Sequence, residues 1–286
     1  SELQVNENDT QIHIKGREFA YTIDKRTALF TEMKFAGREY LNHPMELNIW
    51  RAPTDNDMYI KSEWKKAHYD KAYTRAYTTE VVQGKHGVKI TSHASVVAET
   101  VQKILDVTIT WKIDASGKID ADIEATKDGE FPDLPRFGVR MFLDKKLSAV
   151  RYFGMGPQES YCDKHQAASH GLYRADVGDL HEDYIRPQEN GSHYDCEYVE
   201  LNNSRYGIVA SAEKAFSFNA SYYTQEELEK KTHNYELIES DSVVFCVDYA
   251  LNGIGSNSCG PVVLEQYRFD DVLFRFQFTL IPYVKG

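Results

Sequence analysis

LDVTITWKIDASGKIDADIEA, residues 105–125, decides how the rest of the chain is read. Leu105, Val107, Ile109, Trp111 and Ile113 alternate with polar residues, Ser116 and Gly117 supply turn chemistry, and alternation resumes from Lys118 to Ala125. A period of two places the apolar residues on one face of a strand, so the stretch predicts an antiparallel hairpin with one buried face. The same rhythm starts at Val88. It returns at 271–282, where Phe274, Phe276, Phe278 and Leu280 share one face and Arg275, Gln277 and Thr279 share the other.

Toward the N-terminus, 12–14, 19–23 and 28–35 are short alternating segments separated by Lys15–Gly16, Asp24–Arg26 and Gly37, the pattern of a β-meander. His43–Pro44 predicts a break, after which 47–50 leads as a strand into the irregular loop RAPTDND at 51–57. Beyond Ser62, read as an N-cap, Trp64, Ala67, His68, Ala72, Tyr73 and Ala76 recur at three and four and predict one amphipathic helix. Toward the C-terminus, strands are predicted at 139–143, 150–153, 208–212, 216–220 and 241–248. Thr224 and Glu227 have capping-box spacing and predict a short helix over 224–231. Residues 158–198 show little periodicity and read as roughly 40 residues of polar loop, more than a compact domain carries without a binding or interface role. The fold class is all-β with one or two short helices, and the chain of 286 residues reads as a single domain, 1–286.

Composition narrows the partners. Net charge is −11 and no Lys/Arg run interleaves with aromatics, so phosphate backbones and anionic lipid are repelled; neither nucleic acid nor membrane is an expected partner. No apolar run approaches the ~18 residues of a membrane span. Cys162, Cys196, Cys246 and Cys259 lack CxxC spacing, which points to reduced thiols and a cytoplasmic location.

Chemistry is harder to read. Three polar stretches, RYFGMGPQESYCD at 151–163, RPQENG at 186–191 and NGIGSNSCGP at 252–261, are expected to gather as loops at one end of the β-scaffold. Glycoside hydrolysis needs two carboxyls about 5–5.5 Å apart in retaining and about 6.5–9.5 Å apart in inverting enzymes. Among 44 acidic residues the sequence selects no such pair. Glu159, Tyr161, Asp163, Glu189 and Asn190 are read as loop-structuring groups that bond backbone. His165, His170, His181 and His193 lack the i,i+4 spacing of a helical zinc motif, so no metal site is expected, although a histidine general base, as an aldose epimerase requires, stays open. No Ser stands in G-x-S-x-G, and GIGSNSCG fails the dinucleotide pattern.

WRAPTDND at 50–57, WKKAHY at 64–69, YFGMGPQESYCD at 152–163, RPQENG and NGIGSNSCGP resemble, in order and spacing, the C-terminal (small-chain) domain of bacterial family 2 β-galactosidases. The resemblance implies a large antiparallel supersandwich of the galactose mutarotase-like type. It implies a part of a retaining β-galactosidase acting on terminal β-galactosides of the lactose type, with both catalytic glutamates, and any Mg or Na, on a barrel domain or large subunit that is the expected partner. This chain is then expected to hold no catalytic residue and no cofactor of its own, and to form a homo-oligomer through the surface that meets the barrel. The resemblance places Asp55, Asn56, Asp57 and Tyr59, with Asn257, Ser258 and Cys259, near the substrate. Some members carry a sugar-stacking Trp where this chain has Cys259. Free-standing aldose epimerase and carbohydrate-binding module are the alternatives on the same fold.

Overall fold

The computed structural model describes residues 3–100, 103–255 and 263–286. The chain opens with a meander in which β1 (Gln4–Glu7), β2 (Gln11–Lys15), β3 (Phe19–Asp24), β4 (Leu29–Phe35) and β5 (Arg38–Glu39) pair in sequence order. After this five-stranded antiparallel sheet, β6 (Leu41–Asn48) enters a second sheet and α1 (Ile60–Lys66) follows. β7 (Tyr73–Gln83), β8 (Gly87–Val97), β9 (Leu105–Asp114) and β10 (Ile119–Lys127) form consecutive antiparallel pairs. Then come β11 (Arg136–Asp144), β12 (Ala149–Gly156), β13 (Ser169–Asp176), β14 (His193–Asn202) and β15 (Tyr206–Ser221). α2 (Gln225–Lys230), β16 (Ser242–Leu251) and β17 (Leu273–Val284) complete the order.

The β9–β10 hairpin has the expected register, with Ile113 opposite Ile119, Trp111 opposite Ala121 and Ile109 opposite Ile123. Its turn places Gly117 at φ +90°, a conformation that favours glycine, and the Asp114 carboxylate accepts from the Ser116 and Lys118 amides at 2.9 and 3.2 Å. The apolar face packs on the meander. Trp111 stands edge-on to Phe30 at 4.8 Å and to Phe278 at 6.4 Å, and its indole N–H donates to the Ala28 carbonyl at 2.8 Å. Burying each large side chain of this face stabilises the fold by about 1.5–3 kcal/mol.

β15 is where the large sheet divides. Its first part, Tyr206 to Ser211, pairs with β17, while Ser217 to Ser221 pairs with β16, and β14 runs beside both parts with a register shift between them. One branch continues β17–β10–β9–β8–β7, and the other continues β16–β11–β6. The branches face each other across aromatic contacts, Phe137 on Phe274 at 4.9 Å and Tyr249 on Phe276 at 5.9 Å. Both sheets share one continuous apolar core.

Several expectations need correction. β1 was not anticipated, and β6 runs through His43–Pro44 without stopping. Among the described residues it pairs only with β11, with register shifts beside His43, so a proline is tolerated on the edge away from β11. The helix expected to reach Ala76 ends at Lys66, because His68 takes φ 61° and 73–83 is a strand. Ser62 is not its cap; the hydroxyl donates to the Tyr59 carbonyl at 3.0 Å. The long loop at 158–198 is interrupted by β13, which pairs with β12 along its whole length. The two strands expected at 208–220 are one. At α2 the Thr224 hydroxyl accepts from the Glu227 amide at 3.0 Å, as the capping spacing predicts.

Candidate functional site

The motif-bearing loops gather at one end and are tied together by buried charge. Arg51, with no side-chain exposure, is bidentate to Asp57 at 3.1 and 2.7 Å and donates to the carbonyls of Asn252 and, at 3.1 Å, Gly253. Asp57 also accepts from the Thr54 amide at 2.9 Å. Asn56 donates to the Ile254 carbonyl at 3.0 Å. From the other side, the Asp163 carboxylate accepts from the amides of Ile254 and Gly255 at 3.1 and 2.8 Å. Gly255 sits at φ +78° with Asn56 beside it, so a side chain there is strained whatever the space.

A second knot lies beneath. Arg136 faces Glu189 through two contacts of 3.4 Å and Asp248 at 3.0 Å, all three buried. Glu189 further accepts from the Tyr161 hydroxyl at 3.2 Å and from Asn219 at 3.3 Å. One cation therefore answers two buried carboxylates, and burial pushes the Asp248 carboxyl up to about 6 against the pull of Arg136. The Tyr161 phenol is raised well above its usual range by burial and then by Glu189. Glu159 accepts from the Gly191 amide and Lys164, both at 2.9 Å, and from the Tyr184 hydroxyl. Asn190 accepts from the Glu182 amide at 3.0 Å and donates to the Gln188 carbonyl at 2.9 Å.

Two tryptophans anchor the entry. Trp50 and Trp64 meet edge to face at 5.9 Å, Trp64 donating to the Asp133 carbonyl at 2.8 Å and Trp50 to Glu229 at 3.1 Å. The described parts of the polar loop motifs thus enter one bonded assembly.

A family model for the beta galactosidase small chain matches residues 15–280. The chain belongs to this family. A β-galactosidase of Actinobacillus pleuropneumoniae is 45% identical and one of Staphylococcus xylosus 33% identical, each over 98% of this chain and 28% of the relative. The small-chain sequence thus spans little more than a quarter of the relatives it matches. Among solved structures, a galactose 1-epimerase from Lactobacillus acidophilus superposes with TM-score 0.52 at 8% identity over the full length of both chains, a likeness of fold alone and one that makes this fold galactose mutarotase-like.

Within the small-chain fold, the residues placed near the substrate by resemblance divide. Asp55 and Tyr59 are exposed, Tyr59 at 76%, whereas Asp57 is 1% exposed and turned onto Arg51, so it belongs with the groups that hold the loop. Asn56 is half-buried against Ile254. Asn257, Ser258 and Cys259 lie outside the described residues. Glu159, Tyr161, Asp163, Glu189 and Asn190 are all brought into the loop assembly by the bonds given above. His193 is buried between Tyr152 and Phe218, its Nδ1 3.0 Å from the Met155 carbonyl, and burial lowers its pKa to about 4. It is therefore neutral at pH 7 and remote from solvent. Among the described residues no His, Cys, Asp or Glu cluster of three or more is placed to hold a metal, and no helix is long and apolar enough to cross a membrane.

The sequence reading did not single out Arg51, Arg136, Asn219 or Asp248. Asp248 carried a signal, since it is the one charge in the apolar run VVFCVDYAL at 243–251.

Proposed function

We propose that this chain is the C-terminal domain or small subunit of a retaining β-galactosidase acting on terminal β-galactosides of the lactose type. In this reading it completes the rim of the sugar site, while the nucleophile and the acid/base glutamate stand on a barrel outside this chain. The observation that carries the reading is the state of the loop carboxylates. The two carboxyls of a retaining pair must flank the scissile glycosidic bond, one free to attack the anomeric carbon and one free to protonate the glycosidic oxygen. Glu189 is 5% exposed with both oxygens bonded, Asp163 holds two backbone amides, and Glu159 is bonded to Gly191, Lys164 and Tyr184. These acids fix loops. Family membership and the 28% share of the relatives' length supply the rest, because the missing glutamates have a place to be.

The rim falls to the exposed Asp55 and Tyr59, to Asn56, and to Asn257, Ser258 and Cys259. A wall there excludes water and orients the acceptor, and a thiol at 259 offers no ring for stacking. The barrel is the partner, it carries the Mg and Na of the parent enzyme, and the complex works in the cytoplasm. The test is hydrolysis of a chromogenic β-galactoside by this chain alone and with a barrel-containing chain. Activity in the mixture only is the expected result; activity from this chain alone overturns it.

A further inference from the structure

The fork of the large sheet holds a partly open cavity of about 700 Å³. It opens where β15 leaves β17, and beyond that point, among the described residues, β17 is paired only with β10 from Leu273 to Phe278. Tyr194, Tyr249, Tyr267 and Phe276 are among its lining residues, with one face of Tyr194 stacked on His165 and one of Tyr249 on Phe274. Cations and carboxylates are present on its walls in equal number, so the cavity has no net preference for an anion or a cation. Its volume falls within the roughly 300–1,000 Å³ of small-molecule sites, toward the upper end.

The polar groups are already aligned. Arg275 is bidentate to Asp122 at 2.8 and 2.5 Å, Thr279 donates to Asp120 at 2.7 Å, and the Tyr249 hydroxyl donates to Asp271 at 3.2 Å. Side chains held in this way lose little freedom when a ligand arrives. A neutral sugar suits such walls, because its C–H face lies on an aromatic ring while neighbouring hydroxyls pair with the planar edges of carboxylate, amide and guanidinium groups. A phosphorylated metabolite does not suit them, since the lining cations are balanced in number by carboxylates and Arg275 is already taken by Asp122.

The cavity is continuous with the loop assembly. The Tyr267 carbonyl accepts from the Gly253 amide at 2.8 Å, in the turn that Arg51 and Asp163 hold, and the Tyr267 side chain lines the cavity. Cys162, between Tyr161 and Asp163, lines it as well.

We propose that the fork cavity is a binding subsite for a neutral galactosyl oligosaccharide, extending the acceptor side of the sugar site. It deepens the function proposed above and rests on it for the acceptor role. The test is calorimetric titration of this chain with β-1,4-galactotriose, and with galactose 1-phosphate as the charged control. The expected result is saturable binding of galactotriose, none of the phosphate, and affinity about tenfold weaker in Tyr194→Ala and in Gln277→Trp, from loss of a ring face and from filling the cavity. Gln277 is exposed, so Gln277→Trp keeps the test valid if Tyr194→Ala fails to fold, thermal unfolding of each variant deciding that. No binding by the wild-type chain, or equal binding by the wild type and both variants, overturns the proposal. A mixture that hydrolyses the chromogenic galactoside while the chain ignores galactotriose removes the cavity and leaves the rim reading standing. Galactotriose bound by a chain that supports no hydrolysis with any barrel leaves the cavity as a sugar site and removes both the rim reading and the acceptor role.

Discussion

The hairpin face around Trp111 and the loop end around Arg136 are equally buried, and they are held by opposite means. At the hairpin, Phe30, Trp111 and Phe278 interlock through apolar area, which is non-directional and tolerates small shifts. At the loop end, Arg136, Glu189 and Asp248 hold their elements through charge-assisted bonds, whose strength depends on geometry and whose breakage strands a buried charge. The difference separates two duties. Area supplies stability, and charge fixes where the loops stand.

The largest break comes from Arg136→Met, which leaves two buried carboxylates facing no cation. Stability in urea should fall by about 3–5 kcal/mol, and the triple neutral variant with Glu189→Gln and Asp248→Asn should recover most of it. Recovery of stability without recovery of activity in the barrel mixture is expected, since the bonds that set the loops are gone. Full recovery of both contradicts the division of duties.

The comparison sharpens with pH. His193 has its pKa lowered from 6.5 to about 4, so between those values the unfolded chain binds the extra proton and stability falls as pH drops, by roughly 3 kcal/mol across the window. Asp248 acts in the opposite sense: its raised pKa makes the folded chain the better proton binder between the ordinary carboxyl range and about 6, so its contribution falls as pH rises. His193→Leu should therefore flatten the acid slope of stability against pH, and Asp248→Asn should steepen it. The same change of slope in both variants refutes the assignment.

Asp163→Ala removes the acceptor of two backbone amides at Ile254 and Gly255. A loss of about 1–3 kcal/mol is expected, together with a rise in KM for the galactoside in the mixture. The smallest effect is Ile109→Val in the hairpin face, about 0.5–1.5 kcal/mol in urea with kinetics of the mixture untouched. Altered kinetics there would show that the apolar face also places the loops.

The strands were legible wherever one face meets the core and the other meets water, as in β9, β10 and β17, because that geometry writes itself as alternation. β6 was misread because proline was taken as a breaker without knowing that the strand has an edge away from β11. The helix at 60–66 was extended too far because Ala72 and Ala76 continue a spacing that His68 ends through its backbone. The loop assembly was visible as motifs. In the structure Glu159 and Asp163 bond loop backbone, while Glu189, expected to do the same, bonds the side chains of Arg136, Tyr161 and Asn219. The arginine bonds that tie the loops were not visible, because Arg51 reaches Asn252 and Arg136 reaches Asp248 across more than a hundred residues of chain, a pairing that no local pattern records.

Viewed as a network of paired strands, β15 is a cut point. Deleting it separates the large sheet into three disconnected pieces: β12 to β14, β6 with β11 and β16, and the run from β7 to β10 with β17. Among the described residues, the strands of these three pieces are joined by pairing only through those sixteen residues. A nick or inserted linker at the β1–β2 turn touches one marginal pairing, whereas the same insertion at Glu213–Lys214 divides the joint itself, so cuts at the margins should be tolerated better than cuts at the hub.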